Sequence, residues 1–389
     1  MSVPQILISA GEASSDMYAA RLARAVAAKT GANFFGMGGE KMREQGVEIV
    51  ADASQIAVVG ITEVLHRLPA VWRAWRRLES EAMRRKPALA ITVDSPGFNF
   101  GLARRLKKHG VRCAYFISPQ LWAWRPRRMR WIQERFERVI VIFPFEEEIY
   151  RKAGVKVDFV GHPLVDSVHR TMTREQFAAK FGLDARQQIL ALLPGSRPSE
   201  IRRNLPIILE ACKRLVENRS LQIVLAAAPG LGAKSFKANK SPDTPVTIVE
   251  SATYDALAAA DCAIVSSGTA TVEAALLGTP MVVVYRVSGI TALIARPMIS
   301  TRLFAMVNLV VGRTAIPELI QEKFTAEALR AEVSGLLNSP EAREQQKRHL
   351  AQVRDKLGRG GAIERAADVI AEMLRKTGAE ATSKLPLVS

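Results

Sequence analysis

Cysteine is scarce in this sequence. The 389 residues include three cysteines, and their odd number and wide spacing exclude a disulfide framework and a closely spaced metal-binding pair. Cysteine used so sparingly is typical of proteins in a reducing compartment, so we expect a cytoplasmic protein. The three residues are Cys113, Cys212 and Cys262.

Metal-ligand patterns and long apolar runs are also lacking. The five histidines show no metal-ligand spacing, so we expect no metal and no cofactor. Apolar stretches such as Val139–Phe145 and Met281–Tyr285 are far shorter than the roughly 18 residues that span a bilayer. Near the N-terminus, Ile6–Ala10 has the length of a strand, and no basic residues precede it. The sequence therefore predicts neither a membrane-spanning helix nor a signal peptide.

Positive charge, by contrast, is abundant. The formal net charge of +17 favours nucleic acid, anionic lipid or phosphorylated small molecules as partners. All five tryptophans lie in the first half of the chain, and tryptophan mixed with basic residues is typical of a membrane interface. We expect Val58–Lys86, with Trp72 and Trp75 among its basic residues, to bind an anionic membrane surface. The alternative is a core helix with a solvated basic face.

Short apolar strands alternate with amphipathic, helix-length segments along the whole chain. This alternation predicts parallel α/β sheets, and the pattern restarts near residue 186. The expected strands are Gln5–Ser9, Ala88–Val93, Arg112–Phe116, Arg138–Ile142, Val157–Val160, Ile189–Leu193, Gln222–Ala226, Val246–Val249, Cys262–Val265 and Met281–Tyr285.

The restart of the pattern predicts two Rossmann-like domains. We expect an N-terminal domain over residues 1–170, a C-terminal domain over residues 171–361, and a C-terminal helix with a frayed tail over residues 362–389. Ligands of such sheets bind beyond the carboxyl ends of the strands, so we expect the site in a cleft between two facing domains. Further helices are expected at 171–182, 325–338, 341–357 and 362–376.

Two motifs follow strands of the first half. In GEASSD (residues 11–16), small residues permit close approach to the backbone, and the start of a helix favours an anion. A tight turn with Ser14 as the helix N-cap explains the same motif. In VDSP, Asp94 ends an apolar strand, where a carboxylate faces the ligand edge of the sheet; a turn-capping aspartate is the alternative. The candidates for the acceptor side of the site are Gly11, Glu12, Ser14 and Asp16.

Two further features of the first half are candidates for the cleft. The segment SPQLWAWRPRR (118–128) interleaves tryptophan and arginine, which makes Trp124 a candidate contact for phosphate, acyl chains or a membrane. A solvated basic helix start is the alternative. His162, in the sequence GHP, is the histidine nearest to the expected cleft.

The motifs of the second half are typical of a diphosphate site. In LPGSRPSEI (193–201), Arg197 offers a forked cation to a phosphate next to a helix start. In SSGTATVEAA (266–275), a strand runs through a turn of small residues into a helix, so backbone N–H groups and the helix dipole form a cradle. Ser267, Gly268 and Thr269 would form it, and Glu273 lies one turn further on, towards a ribose. A helix cap at Thr269 is the alternative.

In this order and spacing, the motifs resemble the lipid A disaccharide synthases. The resemblance covers most of the chain, from about Ile6 to beyond Gln321. The segments that carry it are GEASSD, VVGITEVL (58–65), VDSP, SPQLWAWR, VGHPL (160–164), LLPGSRPSEI, SSGTATVEAAL, PMVVVYR (280–286) and NLVVGR (308–313).

The resemblance implies a GT-B architecture and an inverting, metal-independent transfer at the inner face of the inner membrane. The donor would be UDP-2,3-diacylglucosamine, and the acceptor the 6-hydroxyl of 2,3-diacylglucosamine 1-phosphate (lipid X). A homodimer is also implied. Asp94 matches the catalytic base of the family, and the positions that match its UDP contacts are Arg197, Ser267–Thr269, Glu273 and Asn308.

Two departures and two rival interpretations accompany the resemblance. Ser15 stands where the family usually has glycine, and Gly97 where a second acid is common, which leaves Asp94 as the better base. One rival is another UDP-sugar enzyme, such as a UDP-N-acetylglucosamine 2-epimerase or the muramyl-peptide transferase, but neither predicts a basic first half rich in tryptophan. The other is a basic nucleic-acid-binding protein. Because no recognised nucleic-acid motif is present, we expect no nucleic-acid partner.

Overall fold

Two parallel sheets, each with its own helices, divide the chain into two units. The computed structural model describes residues 3–55, 61–119, 128–217, 219–228, 236, 245–289 and 303–383. One unit comprises Met1–Pro163 and Arg359–Ser389, and the other comprises Leu164–Gly358. Within the described ranges, none of the helices combines the length and the apolar character needed to cross a membrane.

The first unit is built on a parallel sheet of seven described strands. They are β1 (Gln5–Ala10), β2 (Asn33–Gly38), β3 (Glu48–Asp52), β4 (Leu89–Val93), β5 (Cys113–Phe116), β6 (Arg138–Val141) and β7 (Val157–Phe159). Their order is β3-β2-β1-β4-β5-β6-β7, so the sheet grows outward in both directions from the β1–β4 pair. Every residue of β4 is buried, as in parallel sheets covered by helices on both faces.

Helices follow the strands of this sheet. The longest, Ile61–Arg85, leads into β4, and Pro96–Lys108 leaves it with proline at its first position. The helices are α1 (Ala13–Thr30), α2 (Glu40–Glu44), α3 (Ile61–Arg85), α4 (Pro96–Lys108), α5 (Met129–Arg135) and α6 (Pro144–Lys152), with a 3-10 turn at Ala53–Gln55.

The second unit repeats this plan with six described strands in the order β10-β9-β8-β11-β12-β13, all parallel. The strands are β8 (Gln188–Leu193), β9 (Leu221–Ala227), β10 (Val246–Glu250), β11 (Cys262–Ser266), β12 (Met281–Tyr285) and β13 (Glu318–Ile320). The helices are α7 (Leu164–Ser167), α8 (Arg174–Phe181), α9 (Pro198–Val216), α10 (Thr253–Ala259), α11 (Thr269–Leu277), α12 (Met306–Val311), α13 (Ala326–Asn338) and α14 (Pro340–Lys356), with a 3-10 turn at Gln321–Lys323.

The last helix, α15 (Ala362–Ser383), belongs to the first unit and packs against α1. Arg365 donates two hydrogen bonds to the backbone carbonyl of Val160, at 2.9 and 2.6 Å. Lys29 of α1 forms an ion pair with Asp368 at 2.5 Å. The sequence pattern predicts this helix but not its partner, and a boundary at residue 170 lies seven residues beyond the end of the first compact segment.

All ten predicted strands are present, which confirms the predicted class of two parallel α/β sheets. Three strands were not predicted: β2, β3 and β13. Glycines in β2 are typical of a turn, but Gly36 is needed in the strand because a Cβ there would lie 1.8 Å from the carbonyl oxygen of Ile8. β3 and β13 occupy sheet edges, and β13 has three residues, too few for a recognisable alternation.

Candidate active site

The GEASSD and VDSP motifs meet at the carboxyl edge of the first sheet. The register pairs Ala10 of β1 with Val93 of β4, so Gly11 and Asp94 leave the sheet side by side. A Cβ at Gly11 would lie 2.8 Å from the hydroxyl oxygen of Ser95. The sequence predicted that small residues in GEASSD permit a close approach to the backbone. In the structure, the group that comes close to Gly11 is Ser95, in the VDSP turn of the same unit.

Asp94 is half-buried at the end of β4 and has an unusual backbone. Its φ is 48°, and the φ of Ser95 is 49°, so two consecutive non-glycine residues lie in the left-handed region. Helix α4 has Ser95, and not Asp94, at its N-cap position. The turn-capping alternative for Asp94 therefore does not describe how this helix begins.

The other GEASSD residues have structural partners. Asp16 is buried, and its carboxylate accepts hydrogen bonds from the backbone N–H groups of Gly39 (2.6 Å) and Lys41 (3.0 Å) at the start of α2. Glu12 is the N-cap of α1, so the alternative with Ser14 as the cap is wrong. Glu12 and Ser14 are both exposed.

Ser15, which departs from the usual glycine, has a local role in this corner. Its hydroxyl accepts from the backbone N–H of Glu12 at 2.9 Å and donates to the carbonyl of Glu12 at 2.8 Å. The side chain is buried and closes the first turn of α1. Gly97, the other departure, is exposed, and a Cβ there would meet open space.

His162 is a core residue of the first unit. Its side chain is buried and packs on Phe143, with ring centroids 5.1 Å apart. Burial lowers the pKa of its imidazole to about 3, so the ring is neutral at physiological pH. Trp124 lies outside the described residues. A residue that the sequence did not single out is Glu146, a buried carboxylate in the first turn of α6 that accepts from the Ser118 hydroxyl at 3.3 Å.

In the second unit, the segment after β8 turns sharply into α9. Gly195 has φ 135°, and a Cβ there would lie 2.6 Å from the side chain of Glu200. The Glu200 carboxylate accepts from the backbone N–H groups of Ser196 (3.0 Å) and Arg197 (3.3 Å). Arg197 is the N-cap residue of α9; its side chain is 56% exposed, and its guanidinium is 3.7 Å from Glu200. An exposed cation therefore stands beside a helix start, a combination that can bind a phosphate, and the Glu200 carboxylate occupies the two N–H groups that precede the helix.

The SSGT segment starts α11 at the neighbouring strand. Gly268 is the N-cap, with φ 147°, and both Gly268 and Thr269 are exposed. The first backbone N–H groups of a helix have no partners within it, so this turn can bind an anion. Ser267 is anchored through its hydroxyl, which donates to the carbonyl of Phe304 at 3.3 Å.

Glu273 lies in the second turn of α11 and is half-buried. Burial raises the pKa of its carboxyl, and a hydrogen bond from the Tyr254 hydroxyl (3.2 Å) partly opposes that rise. A half-buried carboxylate with one donor is suited to accept further hydrogen bonds from sugar hydroxyls. Tyr254 belongs to none of the sequence motifs. Its contact with Glu273 becomes visible only from the packing of α10 on α11.

Asn308 is fully buried and fully bonded. Its amide nitrogen donates to Ile316 O (2.8 Å) and to a carboxylate oxygen of Glu318 (2.6 Å). Its amide oxygen accepts from the N–H groups of Ala315 (2.8 Å) and Ile316 (2.9 Å). These bonds use the four hydrogen-bonding positions of the amide, so a UDP contact by this side chain would have to replace one of them.

Asn204 is a further residue that sequence reasoning missed. It is fully buried in α9, and its amide nitrogen donates to Pro194 O (2.9 Å) and to the hydroxyl of Ser266 (3.3 Å). One side chain thus ties the end of β8 to the end of β11, the two strands that lead into the Arg197 and SSGT segments. Among the described residues, no cluster of three or more His, Cys, Asp or Glu side chains is arranged to hold a metal ion.

The chain matches known proteins over nearly its whole length. The model of the family described as Lipid-A-disaccharide synthetase matches residues 6–373. The chain belongs to this family. It is 44% identical to the Lipid-A-disaccharide synthase of Syntrophus aciditrophicus, over 97% of this chain and 100% of the relative. It is also 44% identical to that of Myxococcus xanthus, over 95% and 98%.

Solved structures show the same fold at low sequence identity. The S. aureus MnaA–UDP co-structure has a TM-score of 0.68 at 11% identity and covers 96% of this chain and 97% of that one. Acinetobacter baumannii MurG has a TM-score of 0.59 at 14% identity and covers 95% and 100%. The UDP-GlcNAc 2-epimerase of Neisseria meningitidis, which represents one of the rival classes, has a TM-score of 0.63 at 12% identity and covers 96% of this chain and 100% of that one. These similarities support the fold alone.

Membership of the family confirms the predicted fold class and enzyme class. The protein is a hexosyltransferase of the GT-B type that forms the lipid A disaccharide. It uses a UDP-sugar donor and a lipid acceptor. The family match, and not the fold, decides against the 2-epimerase and muramyl-peptide transferase interpretations, because a 2-epimerase shares the fold at only 12% sequence identity.

Proposed function

We propose that this chain transfers 2,3-diacylglucosamine from UDP to the 6-hydroxyl of lipid X, with inversion at the anomeric carbon. The products are lipid A disaccharide 1-phosphate and UDP. The family match over residues 6–373 is the observation that carries this proposal. The residue assignments below start from the positions that the family resemblance implies, and the geometry of each unit supports them.

In this proposal Asp94 is the general base. Its carboxylate takes the proton of the acceptor hydroxyl while that oxygen forms a bond to the anomeric carbon and the bond to UDP breaks. Three features support it: Asp94 ends a buried strand at the ligand edge of the sheet, it is half-buried, and its backbone is strained. Asp16 and His162 are weaker candidates, because the first is bonded to the start of α2 and the second is a neutral core residue.

The second unit would hold the UDP of the donor. The diphosphate gains negative charge as it leaves, and Arg197 with the first turn of α11 supplies positive potential without a metal. Glu273 would accept hydrogen bonds from the ribose. Asn308 and Ser267 would act mainly by fixing the backbone around this site, since their side chains bond to the 304–318 segment.

The α3 helix is our proposed membrane contact. Three of the four large apolar side chains that are exposed among the described residues lie on it, within an arc of about 60° at 100° per residue. These three residues, Leu68, Trp72 and Met83, form an exposed apolar stripe along the helix. Arg76 lies 4.4 Å above the Trp72 ring, so the stripe joins apolar surface to positive charge, as binding to anionic lipid requires.

Trp75 has a different environment from Trp72. Its indole N–H donates to the carbonyl of Phe98 at 3.1 Å, and its ring packs over Gly101, where a Cβ would be 2.3 Å away. Trp75 is therefore a packing residue, and the lipid contact belongs to Trp72. We extend the proposal to peripheral association with the inner face of the inner membrane, and we retain the homodimer implied by the family resemblance as a prediction.

The test combines the reaction with one substitution. Purified protein is incubated with UDP-2,3-diacylglucosamine and lipid X, and mass spectrometry follows UDP and the disaccharide phosphate. Asp94→Asn keeps the shape of the side chain but cannot take the proton, so turnover should fall roughly 100-fold or more while UDP binding is unchanged. Near-normal turnover of this variant would contradict the base assignment, and failure of the wild-type protein to form disaccharide would contradict the reaction.

A further inference from the structure

The backbone conformation at Asp94 and Ser95 is costly and needs an explanation. A non-glycine residue in the left-handed region is strained, and here two such residues follow each other at the end of a buried strand. Such strain persists only where the surrounding structure overdetermines the conformation. The contacts of the Asp94 main chain therefore show what holds it.

Both backbone polar groups of Asp94 are bonded. Its N–H donates to the carbonyl of Phe116 at 3.1 Å. Its carbonyl accepts two hydrogen bonds, from the hydroxyl of Tyr115 and from the amide nitrogen of Asn99, each at 2.7 Å. A carbonyl oxygen has two lone pairs, so its accepting capacity is filled by two side chains from different elements, β5 and α4.

The two donors are themselves fixed. Tyr115 and Asn99 are both fully buried. The amide oxygen of Asn99 accepts from the hydroxyl of Ser9 on β1 at 2.7 Å, which orients the amide so that its nitrogen faces Asp94. On the other side of the turn, the Ser95 side chain lies against Gly11. The Asp94–Ser95 turn is therefore held by contacts from four parts of the unit: β1, the turn that precedes α1, α4 and β5.

We infer that Tyr115 and Asn99 are positioning residues, which hold the Asp94 main chain in its left-handed conformation and thereby aim its carboxylate. A return of φ to the common negative region would rotate the direction of the Cα–Cβ bond and move the carboxylate away from its present position. This inference rests on the proposed function, in which Asp94 is the base. Neither residue touches the substrate in it; both act through Asp94.

The test begins with Tyr115→Phe, which removes one hydroxyl and keeps the buried ring. We expect kcat to fall about tenfold, the kinetic equivalent of one neutral hydrogen bond, with the KM of both substrates unchanged. Asn99→Asp, which replaces the donating N–H by an oxygen, should act in the same direction. The matched control is Tyr150→Phe, which deletes another buried hydroxyl bonded to a carbonyl, that of Pro119, and should keep wild-type kcat.

A double-mutant cycle with Asp94→Asn separates the inference from the proposed function. If Tyr115 acts through Asp94, the tenfold effect of Tyr115→Phe disappears in the Asp94→Asn background. An equal loss in both backgrounds, or no loss in the single variant, would overturn the positioning role and leave the base assignment intact. High turnover of Asp94→Asn alone would instead overturn the base assignment. Melting temperature and UDP affinity, measured for each variant, identify any that is misfolded.

Discussion

At the scale of single residues, burial separates the candidates that share a motif. Glu12 and Ser14 are exposed, whereas Asp16 is buried and bonded to two backbone N–H groups. A buried carboxylate with two donors of its own contributes to stability, and it is poorly placed to take a proton from a substrate. In VDSP, the strained residue is Asp94 itself, and the buried side chains of Asn99 and Tyr115 donate to its main-chain carbonyl.

Arg197 provides a prediction for the donor side. Arg197→Ala should raise the KM for the UDP-sugar and also lower kcat, because the diphosphate gains charge in the transition state. The loss of one charge-assisted contact predicts a roughly 10- to 100-fold fall in kcat/KM. Glu273→Ala should mainly weaken donor binding. Calorimetric titration with UDP checks both variants, and unchanged affinity in both would contradict a UDP site on this unit.

His162 provides a prediction for pH dependence. Its pKa is about 3 in the folded protein, below the ordinary value near 6.5, so between these values the unfolded chain binds more protons. The buried neutral imidazole therefore makes its full contribution to the free energy of unfolding above about pH 6.5. As the pH falls below that value, the free energy of unfolding decreases by up to 1.36 kcal/mol per pH unit, which amounts to about 2 kcal/mol at pH 5. All five tryptophans lie in the first unit, so their fluorescence in urea reports its unfolding.

The control for this prediction is another histidine. His162→Gln should flatten the dependence of the unfolding free energy on pH between 5 and 7, whatever its effect on stability at pH 7. His109→Gln, which changes an exposed histidine of the same unit, is the matched control and should alter the slope less than His162→Gln does. Identical slopes for wild type and His162→Gln would show that this imidazole is not the group responsible.

At the scale of elements, the two sheets share one structural feature: a buried asparagine links the ends of two neighbouring central strands. In the first unit, Asn99 on the helix after β4 bonds to Ser9 at the end of β1. In the second, Asn204 on the helix after β8 bonds to Ser266 at the end of β11. Ligands of open α/β sheets bind where the strand order reverses, and β1–β4 and β8–β11 are the pairs at those points. A buried asparagine therefore fixes the separation of the two loops at each binding edge.

Helix α3 provides a prediction at this scale. The double substitution Leu68→Ala and Trp72→Ala removes two exposed apolar side chains from the stripe and should weaken sedimentation with anionic vesicles roughly tenfold or more. The folded structure should be unaffected, because neither side chain is buried. Val3→Ala, which removes another exposed apolar side chain away from α3, is the control. Undiminished sedimentation of the double variant would remove the membrane role of this stripe.

At the scale of the whole molecule, the two ends of the chain meet in one unit. Residues after Arg359 return to the first unit, where α15 covers α1 with side chains that are fully buried. These include Ala366, Ala367 and Ile370. The first unit is therefore complete only when the second has been synthesised, because its last helix comes at the end of the sequence.

Removal of residues 362–389 tests this arrangement. The truncation should destabilise the first unit by at least about 3 kcal/mol, the scale of one large-to-small core substitution, because it uncovers α1. Tryptophan fluorescence should then report unfolding at lower urea, and hydrogen exchange should rise in α1 but not in β8–β12. Glu364→Ala, at an exposed position of the same helix, is the control and should change neither. An unchanged unfolding midpoint after the truncation would contradict a structural role for α15.

The sequence by itself determined the fold class, ten of the strands, the positions of the motifs and the family. These features depend on local patterns: apolar runs, turn residues at their ends, and the order of short motifs. The same local signals failed for β2, where glycines needed for close packing resemble a turn, and for the short edge strand β13.

Only the tertiary structure decided what surrounds each candidate. Ser9 and Asn99 are 90 residues apart in sequence, and Arg365 is 205 residues from Val160, so no local pattern links them. Hydrogen bonding and burial depend on which strands the topology makes neighbours. For the same reason, the sequence could not separate the partly buried Trp75, which packs against the core, from the exposed Trp72, three positions away on the same helix, since a helix presents one face to the sheet and the other to solvent.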